Sequence, residues 1–281
     1  RAIVHGLVTD PSHTISEIER NNVEVIVGIP INMRTLTHHK QSLSSGKSTI
    51  KSVLLTSDYM SPGMVSELEH SWGCEVFSHY GSTEMGFLGG VECSSHSGYH
   101  LTESDIYFEI IDPESGKMME PGRTGEVVFT TLNRQAMPLI RYRTGDLSKF
   151  IIEDCPCGSR LRRLGKIRGS LADTLRMGND HWIGIQDLDD SIFSVPEVVD
   201  YQASLTSTND STELDLILEL KAGCDPDALE RVRLQLLENA IVDSAIKDGV
   251  MTIGSLATGT VAKPLSTAVK RAITDQRKNR A

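Results

Sequence analysis

Three mostly apolar runs punctuate the first part of the chain: Val23–Gly28 (VEVIVG), Lys51–Thr56 (KSVLLT) and Glu75–Ser78. Runs of this length between polar stretches predict buried parallel strands. Ser12–Asn22 reads as a short helix with Ser12 as its N-cap and Ile15 and Ile18 as an apolar i, i+3 pair; Glu17 and Glu19 then face solvent. Ser61-Pro62-Gly63 opens a second helix through Trp72, with Pro62 in the first turn. The polar run Thr37–Ser45, containing His38, His39 and Lys40, reads as a solvated helix-to-strand loop. Strand, helix and strand at this spacing predict a parallel α/β layer over residues 1–92.

From about Gly98 the period shortens. Ile106–Ile111, Gly125–Thr131, Leu139–Tyr142 and Leu147–Ile152 read as strands, and Asp112-Pro113-Glu114-Ser115-Gly116 as a tight turn. Residues 93–168 are therefore expected to form a small β-barrel or sheet. Beyond Gly169 the order is β-α-β-β-α-β: Thr174–Met177, Ile185–Phe193, Val199–Thr206, Glu213–Lys221, Asp225–Asn239 and Val250–Leu256. That order predicts a ferredoxin-like small domain over 169–281. Gly165 and Gly169 flank the expected boundary, near Lys166–Ser170. The fold class is thus α/β plus α+β, with 1–168 as one domain.

Composition narrows the function without naming it. With 281 residues, 39% hydrophobic and 23% charged, the chain has the make-up of an ordinary globular protein. A net charge of -10 argues against a nucleic-acid partner bound through a basic surface. No apolar run approaches a membrane span, and no signal or targeting stretch is visible, so a cytoplasmic location is expected. The opening at Arg1 suggests a fragment or a processed chain. Five cysteines, an odd number, argue against a disulfide framework. Cys74 and Cys224 read as ordinary buried small residues.

Residues 42–50, SLSSGKSTI, end like a phosphate-binding loop, yet Gln41 stands where its first glycine belongs and a strand pattern follows where a helix should. The stretch His79-Tyr80-Gly81-Ser82-Thr83-Glu84 is more promising. It follows a buried strand directly, where open α/β sheets bind ligands. Tyr80 can stack on a base, Ser82 or Thr83 can donate to a phosphate, and Glu84 can hold Mg²⁺. A plain polar turn would carry the same letters. His38-His39 and His181-Trp182 read as structural or solvated, and Asp187-Leu188-Asp189-Asp190 as the exposed first turn of a helix.

Taken with "EIIDPESGKMMEPGRTGEVVFTTLNRQAMPLIRYRTGDL" and "CPCGSRLRRLGKIRG", the segment "HYGSTEMG" resembles the core motifs of the adenylate-forming acyl-CoA synthetases, in the branch of phenylacetate–CoA ligase and its relatives. The ordered match covers roughly residues 23 to 195. The resemblance implies an ATP-dependent ligase that joins a small carboxylic acid, an aryl acid being one option, to coenzyme A through an acyl-adenylate, releasing AMP and pyrophosphate. It implies that Tyr80 lies along the adenine, Thr83 contacts the α-phosphate, Glu84 the Mg²⁺ and Asp146 the ribose, with Gly81 and Ser82 also in the nucleotide site; Asp58 would border the adenine. A homodimer is left open.

Cys93 and His100 bracket one loop, and Cys155 and Cys157 form another. Three thiolates and an imidazole suit a closed structural zinc site, with His96 as the rival to His100. In the resembled family, related members carry such a cysteine, a later histidine and a Cys-x-Cys.

Some positions depart from the pattern. The Ser/Thr/Gly-rich phosphate loop of the family would precede residue 1, leaving the chain as a fragment that is inactive alone. Ser170 and Ala172 stand where an arginine and a hinge residue are usual, with only Asp173 kept; Arg168 is a substitute ribose contact. The adenylation lysine would fall near Ala268, with Lys263 and Lys270 as neighbours and Lys270 the candidate catalytic residue. These departures raise a second reading, a non-catalytic nucleotide- or acyl-adenylate-binding relative.

Overall fold

A computed structural model of the chain describes residues 1–6, 8–43, 48–86, 88–167, 169–177, 181–208, 211–225, 227–261 and 271–277. The Gly46 and Lys47 end of the loop-like stretch lies outside them, as do Arg168, Lys263, Ala268 and Lys270. No helix among the described residues is long and apolar enough to cross a membrane.

The first helix is α1 (Pro11–Arg20), capped two residues earlier than the pattern suggests: Asp10, not Ser12, accepts from the His13 N–H. Strand β1 (Val25–Gly28) leads into α2 (Pro30–Leu43). This helix takes in most of the polar run expected to be a loop. Its polar side chains find partners across the packing face. Trp72 Nε1 donates to Thr37 Oγ1 at 2.7 Å, Lys40 lies 4.6 Å over the Trp72 ring, and His38 Nε2 sits 2.8 Å from Glu67. Buried polar groups that are paired in this way cost little, so hydropathy alone misjudged the segment. Strand β2 (Ser52–Leu55) follows, then α3 (Pro62–Trp72) with Ser61 as N-cap as predicted, and β3 (Glu75–Tyr80). Met33, Leu36, Val53, Leu55, Leu68, Trp72 and Val76 close the core between helices and strands.

Strands β1, β2 and β3 pair in parallel. The sheet then continues antiparallel through β4 (Gly90–Val91) and β5 (Tyr99–Leu101). Three longer strands, β6 (Ile106–Ile111), β7 (Gly125–Thr131) and β8 (Tyr142–Ser148), form a separate three-stranded sheet, so residues 93–168 do not close into a barrel. Leu139–Arg141, expected in a strand, is a connection: Arg141 has φ 49°, which a strand residue does not adopt. Strands β9 (Phe150–Ile151) and β10 (Arg163–Leu164) return to the first sheet, giving it the order β1-β2-β3-β4-β5-β10-β9.

The rest of the chain differs from the ferredoxin-like expectation. Strand β11 (Thr174–Met177) pairs with β12 (His181–Gly184) as a hairpin. After α4 (Ile185–Ile192), β13 (Val198–Thr208) and β14 (Ser211–Leu220) pair antiparallel. Helices α5 (Ala228–Glu238) and α6 (Ala240–Lys247) then cross to β15 (Met251–Thr258), parallel to β14, and a short β16 (Thr274–Asp275) lies on the far side of β13. In a split βαβ arrangement β11 would sit inside this sheet. Here β11 pairs with β12 instead.

This second part docks onto α2 and α3. Arg34, 1% exposed, donates to the Val198 carbonyl at 3.2 and 2.5 Å, pairs with Glu67 at 2.6 Å and lies 4.6 Å over the Phe193 ring. Lys221 reaches the same Glu67 at 3.3 Å. Gly63 permits the approach: a Cβ there would lie 2.6 Å from the Phe193 carbonyl oxygen.

Candidate active site

A cleft of about 520 Å³ opens at the C-terminal ends of β2 and β3, between the two parts of the chain. That volume is ample for a nucleotide-sized ligand. The turn Gly81–Gly86 lies along it because β3 ends at Tyr80 and the backbone bends there, the Gly86 N–H bonding the Thr83 carbonyl at 3.1 Å. Gly86 has φ 81°, and Arg134 packs beside it and donates to the Glu84 carbonyl at 2.7 Å.

Asp58, Tyr80, Gly81, Ser82, Thr83, Glu84 and Asp146 all line this one cleft. Tyr80 is not an open stacking platform. It is 7% exposed, its ring packs 6.2 Å from Tyr99, and its hydroxyl donates to Asp146 Oδ2 at 2.8 Å. Burial, together with the neighbouring Asp146 charge, pushes the Tyr80 hydroxyl well above its ordinary range, so it stays a proton donor. Asp146 is held from a second side by Thr144 Oγ1, which accepts from its N–H at 3.0 Å.

The same cleft is lined by residues the sequence did not single out: Ser78, Tyr99, Lys166, Gln186 and Arg271. Burial depresses the proton affinity of its His79 imidazole, against a backbone hydrogen bond from Tyr80. Among the described residues, Asp58, Glu84, Asp146 and Asp173 supply four carboxylates to the lining, against the two cations Lys166 and Arg271. An anionic ligand therefore meets a wall that calls for a cation alongside it.

Arg271 anchors the inner wall. It lies 2.5 Å from Asp189, 4.0 Å from Asp200, and over the rings of Phe193 and Tyr201 at 4.7 and 5.2 Å. Tyr201 donates to Asp189 at 2.5 Å. Asp189, read from sequence as part of an exposed turn, is 1% exposed. Burial raises its carboxyl to about 6, against the pull of Arg271. The acidic stretch gave no hint of this because Arg271 is 82 positions away. Ser170 caps the short turn Leu171–Asp173, accepting from the Ala172 N–H at 3.3 Å, and bridges to Asp146 in the backbone.

Away from the cleft, ligand atoms of Cys93, His100, Cys155 and Cys157 lie within 4.8 Å of one another. Cys93 Sγ is 3.6 Å from Cys155 Sγ, and Cys157 Sγ 3.4 Å from His100 Nε2. Tetrahedral zinc with Zn–S near 2.3 Å places two sulfurs about 3.8 Å apart, so the donor set fits. His96, the rival ligand, is engaged by Glu75 at 3.1 Å instead. The Cys157 backbone N–H holds the Cys155 thiol down to about 6. Cys74 and Cys224 are half-buried rather than buried.

Comparison with known proteins places this geometry. Residues 3–134 match the family of AMP-binding enzymes. The phenylacetate–coenzyme A ligase of Thermus thermophilus is 30% identical over 204 residues, covering 70% of this chain and 45% of the relative. That of Escherichia coli is 36% identical over 115 residues, 40% of this chain and 25% of the relative. The chain thus spans less than half the length of these curated relatives. Among solved structures, a 2-hydroxyisobutyryl-CoA ligase in the postadenylation state superposes with TM-score 0.80 at 21% identity, covering 96% of this chain and 58% of the other. An anthranilate CoA ligase superposes with TM-score 0.69 at 14% identity, covering 96% and 52%. Over 70% of its length the chain is similar to a phenylacetate–coenzyme A ligase, residues 3–134 match the AMP-binding enzyme family, and its fold is that of the solved CoA ligases.

Proposed function

We propose that this chain forms the nucleotide-facing part of an ATP-dependent carboxylic acid–CoA ligase. Such an enzyme converts an acid and ATP to an acyl-adenylate and pyrophosphate, then lets the coenzyme A thiol displace AMP. One observation carries the reading: Tyr80, Thr83, Glu84 and Asp146, from separated segments, meet in one cleft, with the Tyr80 hydroxyl fixing Asp146. In this reading Asp146 accepts from the ribose hydroxyls and its other oxygen is held by Tyr80. Thr83 donates to the α-phosphate. Glu84 holds the Mg²⁺ that the acid-rich lining calls for. Arg168 and Lys270, outside the described residues, keep the roles of ribose contact and adenylation lysine. The protein's work is alignment of carboxylate and α-phosphate and neutralisation of developing charge.

The division at Lys166–Ser170 fits a small domain, 169–281, that swings on Gly169 between the two half-reactions. The 2-hydroxyisobutyryl-CoA ligase supports this: its postadenylation form superposes with TM-score 0.80 and its thioesterification form with 0.58. The acid is a small carboxylic acid, an aryl acid by the phenylacetate–CoA ligase relatives. Zinc would be held by Cys93, His100, Cys155 and Cys157, tying two loops together. The complete gene product, given ATP, Mg²⁺ and aryl and aliphatic acids, should release pyrophosphate in an acid-dependent way. No release with any acid, alongside intact AMP binding, would favour the second reading, a non-catalytic adenylate-binding relative. Ser170 motivates that alternative: it caps its own turn where the family carries an arginine.

A further inference from the structure

Behind the cleft wall sits Glu92, its side chain wholly buried at 0% exposure. Its Oε2 accepts from both the backbone N–H and the hydroxyl of Ser78, each at 2.7 Å. Its Oε1 lies 2.5 Å from Lys166 Nζ. Ser78 and Lys166 both line the cleft. Both cations among the described lining residues are paired, Arg271 with Asp189 and Lys166 with Glu92, but the Lys166 side chain is 43% exposed against 16% for Arg271, so Lys166 is the one an anionic ligand would meet.

On its other side Glu92 adjoins the cysteine–histidine cluster. The next residue is Cys93, whose Sγ sits 3.6 Å from Cys155. The facing strand repeats the arrangement. His100, a cluster member, follows Tyr99, which lines the cleft and whose hydroxyl oxygen lies 3.5 Å from that of Ser78. Val91 and His100 are paired across β4 and β5, so both links run through one short ladder. His96 borders the same carboxylate at 3.9 Å. A buried carboxylate holds its place only while both oxygens are matched; displacing it strands a charge. Any shift of Cys93 is therefore passed to Glu92, and from Glu92 to Ser78 and Lys166.

We propose that Glu92 is a positioning residue coupling the Cys93–His100–Cys155–Cys157 cluster to the cleft, so that zinc in the cluster and an adenosine phosphate in the cleft each tighten the binding of the other. The inference rests on the nucleotide and zinc readings above. Coupling between two binding sites is reciprocal, which makes it measurable from either side.

The test uses the complete gene product, loaded with zinc. Zinc affinity is measured by chelator competition with and without saturating AMP. In the wild type AMP should tighten zinc by about fivefold or more. In Glu92→Gln, which keeps an acceptor for Ser78 but loses the ion pair, the shift should fall below about twofold. Lys166→Met, which lies outside the cluster's loops, should lose the shift as well. An equal shift in all three proteins overturns the proposal, as does no shift in a wild type that binds AMP by calorimetry. If AMP does not bind at all, the cleft reading has failed, and hydrogen exchange then reads the coupling alone. Stripping zinc should speed exchange at the Ser78 amide while leaving Ser211–Leu220 unchanged; an unchanged Ser78 amide overturns the coupling.

Discussion

The two walls of the cleft are built in different ways. The outer wall, Asp58, Gly81–Glu84 and Asp146, consists of turns at strand ends, with one tyrosine hydroxyl tying the pieces together. The inner wall, Ile185, Gln186 and Arg271, belongs to elements that meet through a buried ion pair, two aromatic faces and a glycine contact. One wall is local backbone geometry and the other is long-range packing. The outer wall should therefore respond to substitution in its affinity, and the inner wall in its stability.

The largest expected effect is at the inner wall. Asp189→Asn leaves Arg271 buried with Asp200 at 4.0 Å as its remaining acid. Breaking a buried pair from one side costs about 3–5 kcal/mol. Urea unfolding should show that loss, and adding Arg271→Met should restore much of it. A smaller effect is expected at the docking contact. Gly63→Val places carbon against the Phe193 carbonyl, where even a Cβ would lie 2.6 Å away. Overpacking of this kind costs about 1–3 kcal/mol, and the melting temperature should fall accordingly.

At the outer wall, Tyr80→Phe removes the hydroxyl that holds Asp146. The loss of one such bond weakens AMP by about 0.5–1.5 kcal/mol, or roughly two- to tenfold, with little change in melting temperature. A melting shift as large as that of Gly63→Val would erase the contrast between the walls.

The smallest effect is on pH dependence. Burial lowers the His38 proton affinity despite Glu67, so the folded state prefers the neutral ring. Its contribution to stability is present above the unfolded pKa, about 6.5, and is lost as pH falls below it. Glu67 is also shifted down: burial opposes, but His38 and Arg34 win, so its contribution is lost only at lower pH, below about 4.5. His38→Gln should flatten the upper part of that decline in urea titrations between pH 7 and 5 and leave the lower part.

The same contrast explains what could be read from the sequence. Ser61-Pro62 and the Gly-bounded turn after β3 are local signals, and the helix and the motif lie where those letters put them. Strands β4, β9 and β10 have two residues each, too few to show a period. The polar face of α2 was misread because its partners, Trp72 and Glu67, come from another helix. Asp189 was misread for the same reason. The four residues of the cysteine–histidine cluster could be grouped from the sequence because cysteine is chemically conspicuous; Glu92 beside them could not, since its meaning depends on Ser78 and Lys166.

The central claim is that this cleft holds an adenosine phosphate through Asp146 and Thr83. Calorimetric titration of AMP into the complete gene product and its Asp146→Ala variant tests it most directly. The account predicts one site per wild-type chain and a loss of about tenfold or more in the variant, as expected for a hydrogen bond to a charged group. Equal affinities in two folded proteins, or no binding to the wild type, would contradict it.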